Sequence, residues 1–224
     1  MIQLSHHELS TVRPWFEPEA PGPLTGGPHV LNTGCGAIWV DRWPEPQAML
    51  VDTARNYLLL GDPAALTPAH LKTQLHGFVA TSPAFVPLLQ ATFAQIVAWD
   101  RVVYTLPVSS TWQKPAGFTV RRLGWEDAGH LAALSDETNW IYKTWSTPAN
   151  LAASGYAWGA FAADRLVSVA CTWCVGNQYE EIGVVTEPEF RGLGLNAACT
   201  GGLCDDIRLR GHTPVDVVGW MAEQ

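Results

Sequence analysis

One stretch, Glu180 to Gly211 (EEIGVVTEPEFRGLGLNAACTGGLCDDIRLRG), constrains the fold of this chain more than any other. Its run Ile182-Gly183-Val184-Val185-Thr186 is apolar and rich in β-branched residues, which suits a buried strand. Glu187-Pro188-Glu189 predicts a turn, because proline cannot donate to a ladder. After Arg191-Gly192-Leu193-Gly194-Leu195-Asn196, apolar or small residues at Leu195, Ala198, Cys199, Gly202, Leu203 and Ile207 recur at helical spacing. Gly211 stands where such a helix would stop.

Strand, glycine turn and helix in succession have a chemical use. Free N–H groups at a helix N-terminus carry partial positive charge and hydrogen-bond anions, phosphate in particular. Gly192 and Gly194 remove side chains that would hold a phosphate off the backbone, and both tolerate positive φ. Arg191 adds a cationic fork. The turn has neither the Gly-Lys-Ser/Thr of a Walker loop nor Rossmann glycine spacing, so taken alone it fits an anion site or a tight turn with no ligand.

Composition narrows the rest. A chain of 224 residues can hold one large domain or two modest ones. Hydrophobic content of 47% against 15% charged residues belongs to an ordered protein rather than a disordered one. A net charge of −8 with no Lys/Arg cluster argues against nucleic acid as a partner. No apolar run approaches membrane-spanning length, and Met1 to His7 lacks a basic-then-apolar signal layout, so the expectation is a cytoplasmic protein with no membrane partner. Five cysteines without a small-scaffold spacing read as reduced thiols. Cys171 and Cys174 form a CxxC inside a strand pattern, where residues three apart face opposite ways, so no metal site is expected. Most of the eleven tryptophans are expected in the core.

Along the chain, a short helix is expected over Ser5–Trp15, followed by a Pro/Gly-rich loop over Pro18–Pro28. Strands are expected over Ala37–Asp41, Gln47–Val51 and Asn56–Leu60, and a helix over Pro68–His76 capped by Thr67. A strand near Phe78–Ala80, a helix over Ser82–Gln95 and a strand over Arg101–Leu106 complete an α/β region, residues 1–113, ending in the polar break Pro107–Pro115. His70 and His76, six apart, are expected to cap or face solvent. In the second region, residues 114–224, Phe118–Leu123 alternates like a strand and Trp125–Leu134 like a helix. The aromatic segment Asn139–Ser146 is followed by a short helix over Pro148–Ser154. Paired strands are then expected over Tyr156–Ala162 and Leu166–Val175, with a last strand over Thr213–Val218.

The run Val-x-x-Pro-x-x-Arg-Gly-x-Gly at Val185–Gly194 resembles the acetyl-CoA-binding motif of the GNAT superfamily of N-acetyltransferases, whose signature is Arg/Gln-x-x-Gly-x-Gly/Ala. Arg191 and Gly194 fill the first and fourth positions, and Asn196 stands at the sixth in place of Gly or Ala. The wider phrase is similar to a GNAT subgroup with an extra N-terminal α/β region, and the resemblance covers residues 116 to 218. It implies a mixed α/β fold (α+β), with a GNAT-like acyl-CoA N-acyltransferase domain in the second half.

It also implies roles. Acetyl-CoA would be the co-substrate, held by Val184, Val185, Thr186, Arg191, Gly192, Leu193, Gly194, Leu195 and Asn196, with the acetyl group passing to a small-molecule amine. Glu181 is the candidate general base and Glu180 its alternative, since a shift of one residue changes the face of the strand. Trp140, Tyr142 and Trp145 fall where the family lines its acceptor site. A GNAT domain continues beyond this last strand with a further helix, often carrying a tyrosine general acid, and two strands, whereas only Gly219 to Gln224 follow here. The missing strand layer would then come from the first half or from a second copy in a homodimer. A non-catalytic acyl-CoA-binding protein is the alternative to an enzyme.

Overall fold

The structure, a computed structural model, describes residues 1–106 and 112–220, and of residues 218–220 the backbone only. Of the expected break at Pro107–Pro115, residues 107–111 lie outside the described residues. Strands β1 (Ile2–Gln3), β2 (Ala37–Val40), β3 (Ala48–Thr53), β4 (Asn56–Gly61) and β5 (Phe78–Thr81) form a five-stranded sheet in chain order. It is antiparallel except for the parallel β4–β5 pair. The side-chain period of two buries both of its faces. Met49 and Val51 of β3 pack with Val12, Phe16 and Val30, while Ala48 and Leu50 pack with Leu71, Phe85 and Leu89.

Helix α1 (Gly26–Thr33) covers the first of these faces; α2 (Pro68–Lys72) and α3 (Val86–Thr92) cover the second. The sequence reading had a loop over Pro18–Pro28 and no helix where α1 lies. Glycine and proline composition concealed it, yet Pro28 occupies the first turn, where no intrahelical N–H bond is lost. Gly27 is required by packing, because a Cβ there would run into the Phe16 ring. His70 caps α2 as expected, its Nδ1 accepting the Thr67 N–H at 3.2 Å.

The second sheet is built from β6 (Asp100–Thr105), β7 (Thr119–Arg122), β8 (Ala157–Ala162), β9 (Arg165–Val175), β10 (Tyr179–Thr186) and β11 (Thr213–Trp220), in the order β6-β11-β10-β9-β8-β7. Helices α4 (Ala128–Ala132) and α5 (Pro148–Ser154) cover one face, and α6 (Leu195–Leu209) the other. Strand β6 precedes the expected break but belongs to this sheet. It runs antiparallel to β11 from Thr105↔Val215 to Asp100↔Trp220. The first half therefore supplies a strand beyond β11.

The two halves are fastened at an irregularity in β9. Its pairing with β10 slips so that Glu181 faces Cys174 and Ile182 faces Thr172, leaving Trp173 as the extra residue of a β-bulge. Nearby backbone groups find side-chain partners. The Thr172 carbonyl accepts Trp145 Nε1–H at 2.8 Å, and the Val175 N–H donates to His29 Nδ1 at 3.1 Å. His29, fully buried on α1, donates from Nε2 to the Thr144 carbonyl at 3.0 Å. A donor on one side and an acceptor on the other select the neutral Nε2–H tautomer.

Burial pushes the His29 imidazole down to about 4, against the Thr144 bond. The unfolded chain takes up this proton near pH 6.5, whereas the folded one resists until about pH 4. The stability from a neutral His29 is therefore whole above pH 6.5 and is lost as pH falls. Across that window the loss is expected to reach roughly 3 kcal/mol, at about 1.4 kcal/mol per pH unit. Urea midpoints from pH 7 to pH 4 for the protein and for His29→Gln check this, since the substituted chain should show a shallower acid slope.

Candidate functional site

Strand β10 is paired with β9 along its length but with β11 only at Tyr179↔Thr213, Glu180↔Pro214 and Glu181↔Val215. Beyond Glu181 the two parallel strands part. One edge of Ile182–Thr186 then faces a gap rather than a neighbour.

Three adjoining cavities occupy this region. The first, about 390 Å³, lies at the glycine turn against Val184, Val185, Thr186, Arg191, Gly192, Gly194, Leu195 and Asn196. The second, about 1060 Å³, fills the gap, with Ile182, Gly183 and Val184 on one side and Asp216 and Val217 on the other. The third, about 790 Å³, lies against β5, α3 and residues 93 to 101. Trp140, Val184 and Asn196 border both the first and the second; Trp173, Arg101 and Glu181 border both the second and the third.

At the turn, Gly192 and Gly194 have φ of +78° and +76°, values that explain glycine at both positions. A Cβ at Gly192 would meet nothing within 4 Å, so the space before the turn is open. Helix α6 begins immediately after, and its first N–H groups have no intrahelical partner. Arg191 holds the Thr186 carbonyl through Nε at 3.2 Å and pairs with Glu137 at 3.2 Å, an exposed ion pair that restrains it weakly. Asn196 turns its Oδ1 along the helix to accept Thr200 Oγ1–H at 3.0 Å. Of the nine residues that the family motif points to here, Leu193 alone is absent from the cavity wall; it is 50% exposed.

The adjacent carboxylates of β10 have separate surroundings. Glu180 is fully buried, and its two oxygens accept from Arg210 (2.6 and 2.8 Å), His212 (2.9 Å) and Thr172 (2.6 Å). Such a carboxylate is saturated and borders none of the three cavities, so it is an unsuitable proton acceptor; the alternative base is corrected to a structural group. Glu181 stands where the second and third cavities meet. Its hydrogen-bond partner is Thr25 Oγ1 at 3.4 Å, and the Thr25 proton is already held by the Gly22 carbonyl at 2.7 Å. Burial pushes its carboxyl up to about 7, Arg101 and Thr25 opposing and Asp216 adding to the rise.

The three aromatic candidates also separate. Trp145 is a core residue that closes the bulge at Thr172 O, and Tyr142 packs against the same core. Trp140 is 38% exposed and borders the first two cavities, 5.1 Å edge-to-face from Trp173. Its segment, a 3₁₀ helix over Asn139–Trp145, is anchored by Glu187, whose carboxylate accepts the Ser135 N–H at 2.9 Å and Thr138 Oγ1–H at 2.7 Å. Thr25, Arg101, Trp173 and Asp216 were missed by sequence reasoning. A tryptophan within an apolar strand carries no sign of a bulge, and the other three come from elements distant in sequence.

The cysteines Cys35, Cys171, Cys174, Cys199 and Cys204 are all free and buried. Among the described residues no cluster of three or more His, Cys, Asp or Glu could hold a metal ion, and no helix is long and apolar enough to cross a membrane.

Comparison with known proteins gives the family and the fold. The chain is 42% identical over 215 residues to the uncharacterized N-acetyltransferase in the mutA 5′ region of Streptomyces virginiae, covering 95% of this chain and 90% of that one. A GCN5-related N-acetyltransferase-like protein from Streptococcus suis shares the fold with a TM-score of 0.70 at 17% identity, over 95% of this chain and 88% of that one. A tandem GNAT protein from the clavulanic acid biosynthesis pathway does so with a TM-score of 0.55 at 16% identity, over 99% and 90%. The GNAT acetyltransferase family model matches residues 28–215 and so takes in most of the first half, where a resemblance confined to 116–218 had been expected. The chain is a GNAT acetyltransferase.

Proposed function

We propose that this acetyltransferase uses acetyl-CoA and acylates the primary amine of a small molecule, with Glu181 as general base. The observation that carries this reading is the position of Glu181, on the strand that runs into the glycine turn and between two cavities. The turn fits the diphosphate of the co-substrate: two glycines of positive φ, open space before Gly192, the start of α6 and the Arg191 fork. Acetyl-CoA supplies the activated thioester carbonyl. The unpaired edge of Ile182–Thr186 supplies backbone groups along the second cavity, where a main-chain N–H polarises that carbonyl.

A carboxyl that titrates near neutrality is matched to removing a proton from an amine at physiological pH. The N–C bond forms as the C–S bond breaks, the amine's proton passes to Glu181, and the thiolate departs. Trp140 and Trp173 form an aromatic wall beside the path.

Calorimetric titration with acetyl-CoA and release of CoA thiol across a panel of primary amines test the reading together. Arg191→Ala is expected to weaken acetyl-CoA about tenfold, the scale of one charge-assisted hydrogen bond, with little change in melting temperature. Absence of acetyl-CoA binding at millimolar concentration would overturn the assignment.

A further inference from the structure

The third cavity is walled by the first half of the chain, and its chemistry suggests what kind of amine the enzyme takes. It is bordered by β5, α3 and the segment leading into β6, with Trp173 of the bulge and Glu181 on its second-half side. Its surface is dominated by hydrocarbon and aromatic groups, among them Leu75, Phe78, Leu89, Val97 and Trp99. Phe78 and Trp99 meet edge-to-face at 5.7 Å, and Phe78 and Val97 remain 55% and 75% exposed. Exposed apolar side chains lining a concavity mark a ligand site rather than a core. Charge is sparse: Glu181 stands at the junction with the second cavity, beside Arg101, and Asp100 lies on the wall. About 790 Å³ falls within the range of small-molecule sites and exceeds what a methylamine-sized acceptor needs.

We infer that the acceptor is a primary amine borne on a large apolar group, aryl or extended alkyl, whose body occupies this first-half cavity while its nitrogen lies at Glu181. The amine and not the acyl donor takes this space, because the donor's route runs from the glycine turn through the second cavity, which meets the third along a border that includes Phe78, Trp173 and Glu181. The inference rests on the acyl-transfer reading and adds its substrate class. A polyamine or an aminosugar would leave its own polar groups unpaired against Phe78, Val97 and Trp99, which penalises those classes.

The experiment is a homologous series, n-butylamine to n-octylamine, with phenethylamine and tryptamine, set against ethanolamine, spermidine and glucosamine. Turnover is read with acetyl-CoA, and binding is read by calorimetry on the same chain. Affinity is expected to rise about fourfold per added methylene until the cavity is filled. Tryptamine should outperform ethanolamine by at least a hundredfold in kcat/KM. Val97→Asp, at an exposed position where the fold is not at stake, should raise KM for tryptamine at least tenfold and leave acetyl-CoA affinity within twofold. A flat chain-length series, or preferred turnover of ethanolamine, spermidine or glucosamine, overturns the inference while leaving the acyltransferase reading intact. Chain-length-dependent amine binding without any acetyl-CoA binding does the reverse.

Discussion

Glu181→Gln is expected to lower kcat/KM for amine acetylation by at least a hundredfold, the scale of one general base, and to leave acetyl-CoA affinity nearly unchanged. The amide occupies the same volume beside Thr25 and cannot take a proton. The unsubstituted enzyme should show an acid limb with an apparent pKa near 7, because the proposed base acts as the carboxylate and burial delays its ionisation to about that pH. Below the limb the rate falls tenfold per pH unit. In the variant that limb should vanish from the residual activity. A retained limb with unchanged turnover removes Glu181 from the chemistry. Stability near pH 8 should not fall, since an amide replaces a carboxylate that is held by one long contact and is costly to bury.

Glu180→Ala is expected to do the opposite. Its carboxylate ties Thr172 of β9 to Arg210 and His212 at the passage from α6 into β11. Removing it leaves a partly buried guanidinium, stacked 4.5 Å from the Tyr156 ring, without the carboxylate that holds it. Loss of one partner of a buried pair costs about 3 kcal/mol or more, which for a chain of this size lowers Tm by roughly 6–12 °C. Thermal unfolding at constant pH measures this. A Tm within 2 °C of the parent would show that the cluster contributes little. One step along the strand thus separates a residue tied into the fold from the one proposed for the reaction, and the two variants should differ in both observables.

The sequence was most legible where local chemistry and long-range packing agree. Strand β10, the Arg191–Asn196 turn and α6 each follow from a local pattern, and α2 from a cap followed by a proline. Helix α1 was hidden because Gly27 serves close packing on Phe16, a purpose that composition does not show. The different surroundings of Glu180 and Glu181 come from partners distant in sequence, Arg210 and His212 for the first and Thr25 and Arg101 for the second, which no residue type announces. Trp145 has the same aromatic character as Trp140, but only its Nε1 meets a backbone carbonyl at the bulge, so their roles part on geometry. The placement of β6 beside β11 is a tertiary choice between two available sheet edges, made where Gly22 packs on Val103 and Val217.

That placement bears on how the protein can be dissected. A cut between β6 and β7 leaves one piece with β6 and no β11 to pair with, and another with a bare β11 edge. Exposed strand edges recruit other chains, so each piece alone should aggregate. Expressed together, the two pieces carry complementary edges and can reassemble. Acetyltransferase activity would then report that two fused proteins had met in the cell.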